Sequence, residues 1–397
     1  MGRPAYGGRI RALTGPNPFA LTDGQHALVD DARRVAVDIL AGVASAGGAG
    51  RVNRPLVKAL AAHGLLPRLF PARAGGTAER DVSALDLCLL REGLARGSTE
   101  GETALAMQGL GGYPILQSGR EDVVLRWVPK IAGGEAVAAF ALTEPGAGSD
   151  AAAVSLVAEP EGSGYRLTGE KSWISNAPDA DVYVVFARTT RDAGAKGITA
   201  FVVPGDLPGM SGEAQELVSA HPIGRLVLDG VHVPAGHVLG QVDGGFRVAM
   251  RTLDLFRPSV GAFAVGMAQA ALDAALDHAG VRETFGKMLK DHQAVGHLLA
   301  EMATRLEAAR LLVYAAAAAY DAGSSRPAKA SAMAKLFATE TAQFVVDAAI
   351  QIHGAAALER GHLLEHLYRD VRAPRIYEGA TEIQREIVAR ELYRRPV

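Results

Sequence analysis

Residues suited to acid–base chemistry gather toward the C-terminal end of the chain. His362-Leu363-Leu364-Glu365-His366 reproduces the H-x-x-E-H pattern. In that pattern two histidines one helical turn apart hold a zinc ion and the glutamate serves as base. His353 and Glu378 are further conceivable ligands. Against it, three fixed positions match by chance in many chains, and Arg360-Gly361 argues against a continuous helix, so no metal is expected. Glu378 stands just before Thr381-x-x-Gln384, a capping box that would start a final helix through Ile387 and Leu392. A helix N-terminus favours an ionised carboxylate, hence an available base, and Gly379 leaves room for a ligand. A glutamate that merely stabilises its helix gives the same pattern. Upstream, Glu144-Pro145-Gly146-Ala147-Gly148-Ser149-Asp150 permits close approach of backbone to a ligand. It also reads as an ordinary glycine turn with an Asx-type cap at Asp150. Trp173 and Ser175 lie two residues apart on an expected strand, and so on one face. No G-x-G-x-x-G after a strand, no P-loop and no G-x-S-x-G elbow is present.

The elements that must position these groups fall in three blocks. Residues 21–136 show helical spacing, with Leu21, Leu28, Val35 and Ile39 on one stripe, Thr22 or Asp23 as N-cap, and a second run from Asp81 with Leu85, Leu89 and Leu90. Residues 137–240 alternate short β-branched runs with turns, at 164–168, 171–175, 182–188, 197–203 and 226–233, which predicts an antiparallel sheet or small barrel. Residues 241–397 return to long helices at 259–279, 293–320 and 329–353, which predicts a four-helix bundle. The fold class is α+β, in the order α, β, α. Residues 1–20, rich in Gly and Pro and without an apolar stretch, read as a flexible tail and not as a secretory signal. The 397 residues carry 41 Lys and Arg against 43 Asp and Glu, a net charge of −2 that offers no cationic field for nucleic acid or anionic lipid. Cys88 is the single cysteine, so no internal disulfide forms. The most apolar run, 311–320, is shorter than a membrane span. The cytoplasm is the expected compartment, with no membrane and no nucleic-acid partner.

Four segments carry a resemblance. Phe140-Ala141-Leu142-Thr143-Glu144-Pro145-Gly146-Ala147-Gly148-Ser149-Asp150 resembles the signature of the acyl-CoA dehydrogenase family. Lys171-Ser172-Trp173-Ile174-Ser175-Asn176, Arg282-Glu283-Thr284-Phe285-Gly286 running to Gln293, and Ile376-Tyr377-Glu378-Gly379-Ala380-Thr381-Glu382-Ile383-Gln384 follow in that family's order and spacing. The resemblance covers nearly the whole chain from about residue 20. It implies FAD as cofactor, with Phe140, Leu142, Thr143, Ser149, Trp173, Ser175, Ala380 and Glu382 around it. Arg282, Phe285, Gln293, Gln351 and Gly354 would reach a flavin bound mainly by a neighbouring subunit, which implies a homo-oligomer, in the family usually a tetramer. Ser149, Arg257, Tyr377 and Gly379 match substrate-side positions.

The resemblance also implies a reaction. Glu378 would remove the α-proton of an acyl-CoA, the enolate oxygen would be held by the Glu378 N–H and a ribityl hydroxyl, and the β-hydrogen would pass to flavin N5. Electrons would go on to an electron-transfer flavoprotein. The alternatives are a same-fold flavin enzyme with oxidase or elimination chemistry and, remotely, an H-x-x-E-H zinc metallopeptidase. Leu255 stands where some relatives place another glutamate base. Ala355-Ala356-Ala357 replace the glycines that usually follow Gly354, so methyl groups would crowd the cofactor. His221 and Arg225, in an unusual Ser219–Arg225 segment, are candidates for CoA phosphates. Leu110, Tyr113, Phe256 and Tyr377 are candidates for the acyl pocket or plain core.

Overall fold

A computed structural model describes residues 21–48, 50–324 and 327–394; the tail expected over 1–20 lies outside the described residues. The first helical layer comprises α1 (Asp23–Val35), α2 (Ala41–Ser45), α3 (Arg54–Ala62), α4 (Ala84–Ala95), α5 (Thr99–Ser118) and α6 (Glu121–Ala132). Thr22 caps α1 through a reciprocal pair, its hydroxyl accepting from Gln25 N at 3.2 Å and its own N–H reaching the Gln25 side chain at 2.9 Å. Leu28 and Val35 are buried as the stripe requires. Ile39 is not. A π-helical turn, Ala36–Leu40, shifts the phase, so Ala36 and Leu40 meet the core and Ile39 is 37 % exposed.

The middle layer is one sheet of β1 (Ala138–Ala141), β2 (Val157–Glu161), β3 (Gly164–Ser175), β4 (Val182–Arg188), β5 (Ile198–Pro204), β6 (Met210–Ala214), β7 (Ile223–Pro234) and β8 (Val238–Leu239). Its order is β6-β7-β3-β2-β4-β5-β8, with β1 beside β4. Pairings are antiparallel except that β1 and β2 run parallel to β4. Strand alternation divides β4 between two cores. Val182, Val184 and Phe186 face the helices, while Tyr183, Val185 and Ala187 fill the sheet's other side. The runs 164–168 and 171–175, expected as two strands, are one strand with register shifts at Leu167/Gly169 and Lys171/Ile174.

The last layer holds α7 (Gly245–Val281), the hairpin β9 (Glu283–Thr284) and β10 (Lys287–Met288), α8 (Gln293–Asp321), α9 (Pro327–His353), α10 (Leu363–Asp370) and α11 (Thr381–Leu392). The helices α7, α8 and α9 pack on one another, α11 lies on α9, and α4 crosses from the first layer onto α7. The bundle is therefore three long helices and a short fourth, with a helix of the first layer on its flank. An 18-residue window of α7 is apolar enough to cross a bilayer, contrary to the expectation of no such segment, but 78 % of it is buried inside the protein. It is a core helix.

Candidate active site

Glu378 sits in the turn between Ile376 and α11, with φ +51, followed by Gly379 at φ +91. A non-glycine residue in the left-handed region is held there by its surroundings. The holders are visible. Lys335, fully buried on α9, donates from Nζ to the carbonyls of Tyr377 (2.9 Å) and Gly379 (2.7 Å). Gln384 donates from Nε2 to the carbonyls of Glu378 (3.1 Å) and Gly379 (2.8 Å). The expected capping box is absent. The N-cap is Ala380, without a side-chain bond, and the Thr381 hydroxyl goes instead to Glu340 at 2.9 Å. Gln384 does reach back, but to carbonyls and not to an N-cap N–H.

Glu378 is half-buried, and its Oε2 is shielded from solvent and has no hydrogen-bond partner. Burial raises its pKa above the usual carboxylate value, opposed by Arg91, Arg257 and Lys335. Alongside the α11 N-terminus, these three cations oppose the effect of burial on the carboxylate. Beneath it lies a buried ion pair, Arg91 of α4 with Glu102 of α5. Arg91 also donates to Ser259 Oγ at 2.7 Å, and Ser259 to the Phe256 carbonyl at 2.6 Å. Burial pushes Glu102 up to about 7 against the pull of Arg91, with a further upward contribution from Glu378. Arg257 is 7 % exposed, faces Asp254 at 3.3 Å, and has an unpartnered buried Nε. It acts on Glu378 through charge. Leu255 is fully buried and carries no second base. Tyr113 is locked in the core, donating to Leu69 O at 3.1 Å and accepting from Val82 N at 2.7 Å, against Phe256. These two, and the buried Leu110, are core residues.

A second group forms where β1 ends. Leu142 is buried and Thr143 half-buried, and the Thr143 carbonyl accepts from Ser172 N at 3.0 Å. Glu144 fixes the glycine turn from within. It accepts from Ser155 N (2.6 Å), Ser155 Oγ (2.8 Å), Leu156 N (2.9 Å) and Lys171 Nζ (2.8 Å), and Lys171 also reaches the Leu142 carbonyl at 3.0 Å. Burial pushes Lys171 down to about 8. Burial raises Glu144, but Lys171 and the N–H donors outweigh it and leave its pKa lowered. Asp150 makes no side-chain cap, and Ser149 is exposed. Phe140 is half-buried and packs on Phe186, ring centroids 4.9 Å apart.

Trp173 falls in the second bulge of β3 with φ +59 and is 53 % exposed. An exposed indole held in strained backbone beside the Leu142–Thr143 turn is suited to covering an aromatic ring system. Around Gly146 and Gly148 a Cβ would meet nothing within 4 Å. These residues fit a flavin. The Ser175 hydroxyl is not free: it bonds His221 Nε2 at 2.7 Å. Burial pushes His221 down to about 4, so it is neutral at pH 7 and no phosphate-binding cation. Arg225 is likewise engaged, by Glu170 at 2.6 Å and by Glu213. Neither is a free CoA contact.

Arg282, Phe285, Gln293, Gln351 and Gly354 are all exposed, Phe285 at 96 % on the β9–β10 tip. Ala355 and Ala356 are exposed as well, while Ala357 is buried. Ala380 is half-buried, and Glu382 is exposed near Arg385. The H-x-x-E-H side chains diverge. His362 caps α10, its Nδ1 accepting from Leu364 N at 3.1 Å, and packs on His353. His366 turns to Thr99 Oγ1 at 2.7 Å and Asp370 at 3.1 Å, and Glu365 pairs with Arg369. Among the described residues no cluster of three such ligands could hold a metal. Arg91, Glu102, Lys335, Ser259 and Glu144 went unread as site residues. The available signal was a charged residue inside an apolar helical run, as in Leu89-Leu90-Arg91 or Ala334-Lys335-Leu336.

Comparison with known proteins agrees with this geometry. The acyl-CoA dehydrogenase N-terminal, middle and C-terminal domains match residues 22–135, 139–231 and 243–393. The chain is 37 % identical over 352 residues to cyclohexane-1-carbonyl-CoA dehydrogenase of Geobacter metallireducens, covering 88 % of this chain and 92 % of the relative. It is 36 % identical over 348 residues to the CarC subunit of the caffeyl-CoA reductase–Etf complex of Acetobacterium woodii, covering 86 % and 90 %. Butyryl-CoA dehydrogenase from Megasphaera elsdenii superposes with a TM-score of 0.88 at 32 % identity, covering 94 % of this chain and 99 % of that one. With all three domains matched in order, the chain belongs to the acyl-CoA dehydrogenase family and is an FAD-dependent oxidoreductase of acyl thioesters.

Proposed function

We propose that Glu378 is the base that takes the α-proton of an acyl-CoA bound between the Glu378 turn and the Trp173 face. The observation that carries this is the solvent-shielded, unpartnered Oε2 of Glu378 within the charge field of three cationic side chains. A carboxylate with its pKa raised by burial is a stronger base once ionised, and Arg91, Arg257 and Lys335 keep the ionised form accessible. Its neutral form, after proton transfer, suits the enclosed surroundings. The backbone N–H of Glu378 is the donor assigned to the thioester oxygen. When bound, FAD supplies the acceptor for the hydride leaving the β-carbon. Leu142, Thr143, Trp173 and the Ser175 backbone would hold it within one subunit. Arg282, Phe285, Gln293, Gln351 and Gly354 would hold it from the next.

That second set supports a homo-oligomer, which we place at a tetramer. Phe285 is 96 % exposed at a hairpin tip, an arrangement that a partner surface would cover. An electron-transfer flavoprotein is the assigned acceptor, in keeping with the Etf complex named for the Acetobacterium woodii relative. A cytoplasmic setting fits a chain whose single cysteine leaves it without an internal disulfide. The test is anaerobic titration of the FAD-loaded protein with butyryl-CoA, cyclohexane-1-carbonyl-CoA and aryl-substituted propionyl-CoA. One of these should bleach the long-wavelength flavin band, with slow return in air. A flavin left oxidised by straight-chain, alicyclic and aromatic thioesters alike would overturn the reading, and rapid return in air would indicate an oxidase.

A further inference from the structure

We propose that Lys335 and Gln384 are positioning residues that clamp the Glu378 turn and set the orientation in which its carboxylate works. The inference rests on reading Glu378 as the base. Three consecutive carbonyls, those of Tyr377, Glu378 and Gly379, each accept from one or both of these side chains at 2.7–3.1 Å. The clamp therefore grips the main chain on both sides of Glu378 and at the residue itself. It is needed because Glu378 and Gly379 are successive left-handed residues, a conformation that glutamate leaves readily when unsupported. The fit is close: a Cβ on Gly379 would lie 2.4 Å from Gln384 Nε2.

The division of labour matters chemically. Lys335 carries its ammonium entirely inside the protein yet donates to the Tyr377 and Gly379 carbonyls, leaving Glu378 Oε2 without a partner. The turn is immobilised while the carboxylate stays free to take a proton. A direct salt bridge would have tied up the same oxygen. Lys335 also acts on Glu378 by charge, alongside Arg91 of α4 and Arg257 of α7 and against Glu102 of α5. Glu340 of α9 and Glu382 of α11 are the remaining charges that Lys335 feels. Gln384 carries no charge, so the two residues separate geometry from electrostatics.

The experiment compares Lys335→Met, Lys335→Arg, Gln384→Leu and Glu378→Gln as FAD-loaded proteins. The readout is the anaerobic flavin-bleaching rate from pH 5 to 9, using cyclohexane-1-carbonyl-CoA or the first thioester of the panel that bleaches the parent protein. Lys335→Met should slow bleaching about 100-fold, the scale of a catalytic group misplaced by an ångström. Its acid limb should move up by about one pH unit, the usual effect of losing a nearby opposite charge. Thioester affinity should change less than about three-fold, because the clamp touches no substrate. Gln384→Leu should slow the rate about ten-fold without moving the acid limb, and Lys335→Arg should recover most of the activity. Parent-like rates in both Lys335→Met and Gln384→Leu, with Glu378→Gln inactive, would overturn the clamp and leave the base standing. Bleaching by Glu378→Gln at the parent rate would overturn the base itself. If Lys335→Met fails to retain FAD, Gln384→Leu decides: slowed bleaching supports the clamp, and a parent-like rate overturns it.

Discussion

Replacing Lys171 with Met tests how the glycine turn is anchored to the sheet. Lys171 and Glu144 are both buried, and Lys171 donates to Glu144 and to the Leu142 carbonyl. Removing one partner of a buried ion pair costs roughly 3–5 kcal/mol, because the other charge is left unpaired. Here Glu144 keeps Ser155 N, Ser155 Oγ and Leu156 N as donors, so a loss near the lower end, about 3 kcal/mol, is expected. The pH dependence has a definite sign. The folded pKa of Glu144 lies below 4.5, so its stabilisation is present above 4.5 and lost as pH falls through the folded value. Without Lys171 the folded pKa rises, and acid unfolding should begin at higher pH. The assay is urea denaturation at pH 7 and pH 5 with FAD release followed by fluorescence. FAD should dissociate more readily, because the turn that carries Leu142 and Thr143 is loosened. Lys171→Met/Glu144→Gln should recover part of the loss, since no isolated charge remains. A loss below about 1 kcal/mol at pH 7 with unchanged FAD retention would refute the anchor, as that is the scale of an exposed pair.

Two further outcomes follow from other parts of the site. His221→Gln should flatten acid sensitivity: the folded His221 sits at about 4, so parent stability falls between pH 6.5 and about 4 as the unfolded state takes up the proton first, by up to roughly 3 kcal/mol, and the variant should lack that component when melts at pH 7 and 4.5 are compared. Trp173→Ala removes a half-exposed ring from a strained position, so denaturation of the FAD-free protein should shift by less than about 1 kcal/mol while FAD dissociates markedly faster in a filter-release assay.

Local signals in the sequence were legible where one segment settles its own structure. Thr22 with Gln25 gives the cap of α1, and the alternation at 182–188 gives β4 with its two faces. Readings failed where a phase or partner is non-local. The π-turn at Ala36–Leu40 rotates Ile39 outward and sets Ala36 and Leu40 against Gly97 and Gly101, contacts that no local periodicity announces. Thr381-x-x-Gln384 has the letters of a capping box, but Glu340 and the Glu378–Gly379 carbonyls compete more effectively for those side chains. His221 reads as a cation until its burial beside Ser175 is seen, because burial is what lowers its pKa. The base itself was named from its motif. Arg91, Glu102 and Lys335 were missed, because charges spread over 91–335 acquire meaning only when α4, α5 and α9 meet around residue 378.

The FAD-loaded Glu378→Gln protein, mixed anaerobically with a thioester that bleaches the parent, tests the role of Glu378 as base most directly. Retained flavin, a perturbed spectrum on thioester binding and no bleaching over the time in which the parent is fully reduced are expected if Glu378 is the base. Bleaching at the parent rate would contradict it.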